Sequence, residues 1–393
     1  MRSPNAAVTA TLAAVAVLAV VAGGVAADRR RPVDGPAAAA APLPVPSTTP
    51  TTVPMTPKPT AKPTAPTDTA KVKLDLAKLP TGRAPQLQYR LGRVVAGGTR
   101  GGVNSSERAM TIPGRKDILR AANRGGNLLA VLTDDSGRTE LVRTGITEDR
   151  PGTPIPDVGS LVLSPDETTA AYATARSNPD NTRAKGSTVT WERDTVRTLK
   201  RPNDWGSHVL AVTGDKIWFR ADTDQNGTTS ALYVWDSASG DVERISGVRS
   251  PVGVDPTGAL AADFVAGAAQ NFCSTVTELP SGSRRWLTCD YAIAGFTPDT
   301  NTTIGTPDFR NGGADPLVVA LDSADGKVRR EWTGPQFRQA VAEDDDHLLL
   351  VADSGEGTRG AIIRCTISTG GCELATPLTD RPRSDLQLLG DWS

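Results

Sequence analysis

Short apolar runs joined by tight polar turns recur from Gln86 to the C-terminus and set the fold class. The clearest is Leu161–Thr174, LVLSPDETTAAYAT, two apolar runs around a Ser-Pro-Asp turn. Variants of it lie at Gln86–Ala96, Leu119–Thr133, Val209–Ala221, Val252–Val265, Ile293–Thr306 and Ala340–Ala352. Each reads strand, turn, strand, because runs this short between Pro, Asp and Gly are long enough for strands and too short for helices. Pro165, Pro256 and Pro298 pre-set φ at the second turn position, and Asp166, Gly214, Gly258 and Asp299 are expected to tolerate the tight backbone after it. A second hairpin lies between successive copies: Ala231–Ile245, Ser274–Thr288, Pro316–Trp332 and Ala361–Ala375, with Thr188–Leu199 a weaker match.

Two hairpins per period make a four-stranded unit, and the units recur at roughly 33–49 residues, close to the blade period of a propeller. The pattern predicts an all-β fold, a seven-bladed β-propeller, with six blades plus an N-terminal extension as the alternative. Its first unit, Tyr89–Pro113, offers only about three strands. Leu386–Leu389 is therefore expected to pair with it and close the ring. The Ser-Pro-Asp turn and its flanks resemble the repeat of TolB-like and WD-repeat propellers, from Gln86 onward. Trp235-Asp236 is the single Trp-Asp dipeptide, and no Gly-His dipeptide accompanies it. Glu278–Trp286 also resembles the tryptophan-docking repeat of quinoprotein-type propellers, which implies that Trp286 leans on the neighbouring blade. Ala320–Trp332 departs from that pattern, its Trp lying two positions late.

Ahead of the repeats the pattern changes twice. Ala6–Ala27 is an uncharged apolar run of 22 residues, long enough to cross a bilayer as a helix. It reads as an N-terminal transmembrane anchor, or as a secretory signal cleaved after Ala27. Arg29, Arg30 and Arg31 come next, and the positive-inside rule alone would put the rest of the chain in the cytoplasm. Pro32–Ala70 carries eleven Pro and nine Thr, so it is expected to be an extended spacer without a core. The domain plan is then residues 1–31 anchor or signal, 32–82 disordered linker and 83–393 propeller. Such a layout resembles a group of uncharacterised bacterial propeller proteins.

Charge and chemistry narrow the function. With 43 basic and 44 acidic residues the chain has no footprint for nucleic acid. The two His, His208 and His347, leave little room for imidazole catalysis. Cys273 with Cys289 and Cys365 with Cys372 flank two hairpin turns at mirror positions, which places each pair on facing strands where a disulfide forms. Two local disulfides, an oxidising compartment and the spacer together point to a cell-membrane protein with its propeller outside the cytoplasm, or a secreted one. Asp222, Asp224, Asn226 and Gly227 form D-x-D-x-N-G, half of a calcium loop, so Ca²⁺ is the one candidate cofactor. The connections from second to third strand are long and should share one face, where binding is expected. On it Arg176, Arg183, Lys185, Trp205, Phe309, Arg310 and Arg359 are the candidate contacts. These features predict a non-enzymatic scaffold for a protein, peptide or cell-envelope glycan; the alternative is a propeller enzyme, a hydrolase, lyase or quinoprotein-type oxidoreductase.

Overall fold

The computed structural model describes residues 70–98, 109–124, 126–145, 152–178, 182–266, 272–307, 315–354, 359–380 and 385–389. The expected anchor and most of the expected spacer lie outside them. Strand β1 (Ala70–Lys73) and one 3-10 turn, Leu76–Lys78, come first, and every other regular element described is a strand. β2 (Gln88–Leu91), β3 (Val94–Gly97) and β4 (Met110–Thr111) form the first sheet. β5 (Asp117–Arg124), β6 (Asn127–Thr133), β7 (Thr139–Gly145) and β8 (Ile155–Pro156) form the second. β9 (Val158–Leu163), β10 (Ala170–Ser177), β11 (Arg183–Glu192) and β12 (Val196–Arg201) make the third, then β13 (Gly206–Thr213), β14 (Lys216–Asp222), β15 (Ser230–Asp236) and β16 (Val242–Ile245) the fourth. The fifth sheet is β17 (Pro251–Val254), β18 (Leu260–Ala266), β19 (Phe272–Glu278) and β20 (Arg284–Thr288).

The remaining strands run on as one sheet. β21 (Tyr291–Phe296), β22 (Thr302–Pro307), β23 (Asp315–Asp322) and β24 (Val328–Ala342) continue into β25 (His347–Asp353), β26 (Arg359–Thr366) and β27 (Cys372–Leu374), with β28 (Thr379–Asp380) added beside β26. β24 causes the continuity. Residues 328–333 of this 15-residue strand pair with β23, and residues 336–342 pair with β25. One strand thus ends one four-stranded ladder and begins the next. Finally β29 (Leu386–Leu388) pairs antiparallel with β2, Tyr89 opposite Leu388 and Leu91 opposite Leu386, so the C-terminus completes the first sheet as the sequence predicts.

Successive sheets pack face to face in a ring, which explains why the second strands read as unbroken apolar runs. Leu128, Ala130 and Leu132 of β6 pack with Val95 and Ile112 of the first sheet, whereas Leu129 and Val131 pack with Val158, Leu161 and Tyr172 of the third. β25 repeats the device, Leu348 and Leu350 facing one neighbour and Leu349 and Val351 the other. Indoles add directed contacts between neighbouring sheets. Trp191 donates to the Gly214 carbonyl at 3.0 Å, Trp286 to that of Ser323 at 2.9 Å and Trp332 to that of Gly370 at 3.2 Å. Trp332, placed late by the docking pattern, therefore docks as Trp286 does. Position along the outer strand matters less than reaching a carbonyl in the next turn.

The recurring turns carry one design with a difference from expectation. Ser164 and Thr297 each accept, through their hydroxyls, an amide five residues on, from Thr169 and Thr302, both at 3.0 Å. Backbone bonds from Glu167 to Ser164 at 2.8 Å, Gly258 to Asp255 at 3.0 Å and Thr300 to Thr297 at 2.9 Å close the turns. The left-handed residue is thus the fourth, Glu167 (φ 58), Gly258 (φ 75) and Thr300 (φ 62), rather than Asp166 or Asp299. The aspartates instead cap the turn: Asp166 accepts from the Thr168 amide and Asp299 from the Asn301 amide.

Residues 70–82, assigned by the sequence to the spacer, are packed on the fold. β1 lies parallel to β24, Ala70 opposite Arg330 through Lys73 opposite Thr333. Leu74 and Leu76 are buried beside Trp332 and Ile363, and Thr81 bridges Leu374. Arg364 then donates to the Arg83 and Ala84 carbonyls, at 2.9 Å each, while pairing with Glu343 and Glu373. This segment covers the outer strands of two ladders, edges that would otherwise expose unpaired amides. Both disulfides are present, Cys273–Cys289 and Cys365–Cys372, the latter joining directly opposed residues of β26 and β27.

Candidate functional site

The innermost strands of the ring share an irregularity that shapes its axis. Six of them, β5, β9, β13, β17, β21 and the second half of β24, carry a bulge against the next strand. The extra residues are Leu119, Gly159, Leu210, Val252, Ala294 and Arg338. A bulge bends a strand and re-aims its side chains. Five of the six extra residues, all but Leu119, line one cavity of about 440 Å³. It is walled by the first halves of the inner strands, with Gly159–Val162 and His208–Leu210 among its lining. It therefore occupies the end of the axis reached by the links from one sheet to the next. A second cavity, about 110 Å³, is lined at the other end by the later halves and by Pro165, Pro256 and Pro298 of the recurring turns. Val162, Leu210 and Ala340 line both, making a waist between them.

The two chambers differ in charge. Arg120, His208, Arg220 and Arg338 line the wider one, and neither Asp nor Glu does. The counter-ions stand behind the wall. Asp353 accepts from Arg338 Nε at 2.6 Å and Nη2 at 3.2 Å. Asp222, 1% exposed, is shared by Arg183 and by Arg220, whose Nε lies 3.4 Å from Oδ1. That last contact satisfies neither atom, for Arg220 Nε and Asp222 Oδ1 both lack a hydrogen bond. Burial first, then the Arg220, Arg183 and Arg120 guanidiniums, push the His208 imidazole down to about 3. It is consequently neutral at pH 7.

Several of the predicted contacts converge beside this chamber. Arg183 and Lys185 stand on β11, and the Lys185 ammonium lies 5.3 Å from the centroid of the Trp205 ring. Trp205 is pinned through its amide to the Asp222 carbonyl at 3.1 Å. Arg176 is exposed at the end of β10 on the same sheet. The sequence pattern puts Arg176, Arg183 and Lys185 in a loop spanning 176–187. The strands instead continue through a bulge until Ser177 faces Arg183, leaving a short connection. Arg359 stands apart on β26, 3.7 Å from Asp380. Phe309 and Arg310 lie outside the described residues.

The calcium half-loop is used differently. Asp222 turns inward to the arginines. Asp224 accepts from the Asn226 and Thr228 amides at 2.9 and 3.2 Å and from Thr228 Oγ1 at 3.1 Å, besides Thr229. These bonds, those of Thr229 foremost, hold its carboxyl far below the usual range. Asn226 is exposed. Arg120 and Arg338 escape a sequence reading because alternation along a regular strand does not show which residues a bulge turns to the axis, and Arg220 because it lies on the regular second strand β14. His208 stands on β13 and Phe337 on β24, near where that inner strand and that inner half-strand begin.

No protein-family model and no curated relative matches the chain. Among solved structures it is similar to a prolyl endopeptidase, at 14% identity and a TM-score of 0.51, over 78% of this chain and 50% of that one. It is also similar to the β-propeller domain of the Trilobed protease from Pyrococcus furiosus, at 11% identity and a TM-score of 0.42, over 68% and 99%. TolB from Acinetobacter baumannii matches at 14% identity and a TM-score of 0.39, over 63% and 65%. The chain thus spans half of the endopeptidase and under two thirds of the TolB chain. The likeness to the endopeptidase shows the fold alone, and it agrees with the ring of ladders: the described residues form a β-propeller.

Proposed function

We propose that the chain is a seven-bladed, extracytoplasmic propeller that binds a protein, peptide or cell-envelope glycan at the end of the axis where the sheets are linked. Five separate ladders and the two joined through β24 support the count of seven. One observation carries the binding reading. A cavity of about 440 Å³, cationic and partly apolar, opens beside the Arg183, Lys185 and Trp205 cluster, on strands fixed by packing from both sides. Arg and aromatic groups held on a rigid frame are the usual anchors of recognition. Acid–base chemistry is less well served. The wall offers a single imidazole with a depressed pKa and no carboxylate to orient it. The two disulfides support a location outside the cytoplasm, and the apolar run 6–27 would be the tether.

Crosslinking in intact cells from a photoreactive group at Lys185, with identification of the captured molecule, tests this. The reading expects a partner captured at position 185 and not from a group at Asp166 on the opposite end. Capture at 166 alone, or at neither, would refute it. Thiol labelling without reductant addresses the compartment: four reactive cysteines would exclude it.

A further inference from the structure

We infer that the wider axial chamber takes a ligand bearing a single carboxylate on an apolar body. The inference rests on the proposed binding end and adds the chemistry of what enters it. Charge comes first. Arg338 directs Nε and Nη2 at Asp353 and gives Nη1 to the Leu386 carbonyl at 3.2 Å, so its charge is answered. Arg183 and Arg220, by contrast, share the one carboxylate of Asp222. Two guanidiniums against one carboxylate leave one positive charge in surplus. Of these two, Arg220 lines the chamber, and its buried Nε lies 3.4 Å from Asp222 Oδ1 without a hydrogen bond, so the carboxylate holds it by charge alone. A guanidinium presents parallel donors matched to a carboxylate, and such charge-assisted bonds are the stronger kind.

A single carboxylate on an apolar body suits this wall better than a polyanion, whose further charges would enter a partly buried and largely apolar site. The rest of the wall is apolar. Val252, Phe264, Ile293, Val318 and Phe337 line the chamber around the cations. Beyond the waist the narrower chamber is lined by Phe296 and Ile304. A ligand with its carboxylate at Arg220 would direct an aliphatic or aromatic body along the axis toward Val162, Leu210 and Ala340. His208 sits on the same wall against Gly159, whose α-carbon would carry a β-carbon 3.6 Å from the ring. Its ring makes no hydrogen bond to the described residues, which leaves the ring nitrogens available to the ligand. Burial first, and then the positive surroundings that an anion would relieve, depress its pKa.

The chain has two histidines, and only one lines this chamber. His347 is held by Asp344 at 2.8 Å elsewhere and serves as an internal reference. The full chain, with its imidazole carbons observed by NMR, is titrated with hexanoate, hexanamide and inorganic phosphate. Hexanoate should shift the His208 resonances saturably and raise the His208 pKa while His347 stays still, and hexanamide should do neither. Arg220→Gln should weaken hexanoate by about tenfold or more, with Arg220→Lys intermediate. The unmoved His347 signal shows that the variants remain folded. An unresponsive His208, an equal response to hexanamide, or stronger binding of phosphate would each overturn the inference. Partner capture at Lys185 without hexanoate binding would sink the carboxylate and spare the binding end. Hexanoate binding without capture would do the reverse.

Discussion

The two ends of the axis are built from the same inner strands and come out unlike each other. At one end the recurring turns, with their hydroxyl and carboxylate caps, hold a narrow chamber of about 110 Å³ lined mostly by apolar side chains. At the other a bulge in each of six strands opens about 440 Å³ and turns Arg338 and its neighbours to the axis. Turn chemistry repeats because every hairpin needs the same backbone solution. The bulges repeat in position but carry different residues, Gly159, Leu210, Val252, Ala294 and Arg338 among them. The end with uniform residues serves the fold, and the end with uniform backbone and varied residues is the one free to recognise something.

If that division holds, truncation should cost stability at the first end and far less at the second. Phe296 lines the narrow chamber, is 2% exposed and packs with Leu260, Val276 and Leu321. Phe296→Ala should cost about 3–5 kcal/mol in denaturant unfolding. Phe264, half-buried on the wide chamber, should cost less than half of that when replaced by Ala. Equal losses would erase the distinction. A smaller effect is expected from Gly258→Ala in the recurring turn. The added β-carbon would fall 2.1 Å from Trp218, at a φ of +75. Strain and overpacking together should cost about 2–3 kcal/mol.

Acid should find the wide end before the narrow one. The folded chain keeps His208 neutral down to about pH 3, whereas an unfolded chain protonates it below about 6.5. Between those values the unfolded state binds the extra proton, so stability contributed by the neutral imidazole is present above pH 6.5 and is lost as pH falls toward 3. The slope from this one group is at most about 1.4 kcal/mol per pH unit. Wild type minus His208→Gln, measured by urea unfolding from pH 7 to pH 4, isolates it. A flat difference would mean that the chamber is not a low-dielectric, positive place.

The contrast also explains what can be read from the sequence. Strand order, both disulfides and the closure by Leu386–Leu388 follow from apolar runs and mirror spacing, because pairing in an antiparallel hairpin is a local matter. The domain plan extends the linker to residue 82, past the Pro- and Thr-rich stretch, yet residues 70–82 pack on the fold. Val72, Leu74 and Leu76 are separated by charged residues, and only contact with β24 and Trp332 makes them a buried strand and turn. The cationic wall is illegible for a related reason. Arg120, Arg220 and Arg338 sit on strands where alternation gives no sign of which residue faces the axis, and the bulge at Arg338 has no sequence mark such as Gly. The structure brings Arg183, Lys185 and Trp205 together and sets Asp222 against Arg183 and Arg220.

Among the recurring turns, Thr300 is the place to gain stability. It holds φ at 62, where a β-branched residue is strained, at the position that Gly258 occupies in its own turn. Thr300→Gly should raise stability by about 1 kcal/mol, since relief of strain outweighs the added freedom of the unfolded chain. A loss would show that the Thr side chain is held by more than its backbone.

The smallest effect is expected at the other end, from calcium. The half-loop Asp222–Gly227 has the spacing of a metal site, yet its two carboxylates are committed in opposite directions. Asp222 neutralises guanidiniums, and Asp224 is saturated by donors of its own loop, so an ion would have to displace three or more hydrogen bonds and two ion pairs before gaining both carboxylates. Millimolar Ca²⁺ or its removal by chelator should therefore leave the thermal midpoint unchanged within error, and Asp224→Asn should lower it whether or not Ca²⁺ is present. A midpoint that climbs with Ca²⁺ in wild type and not in Asp224→Asn would reverse the assignment.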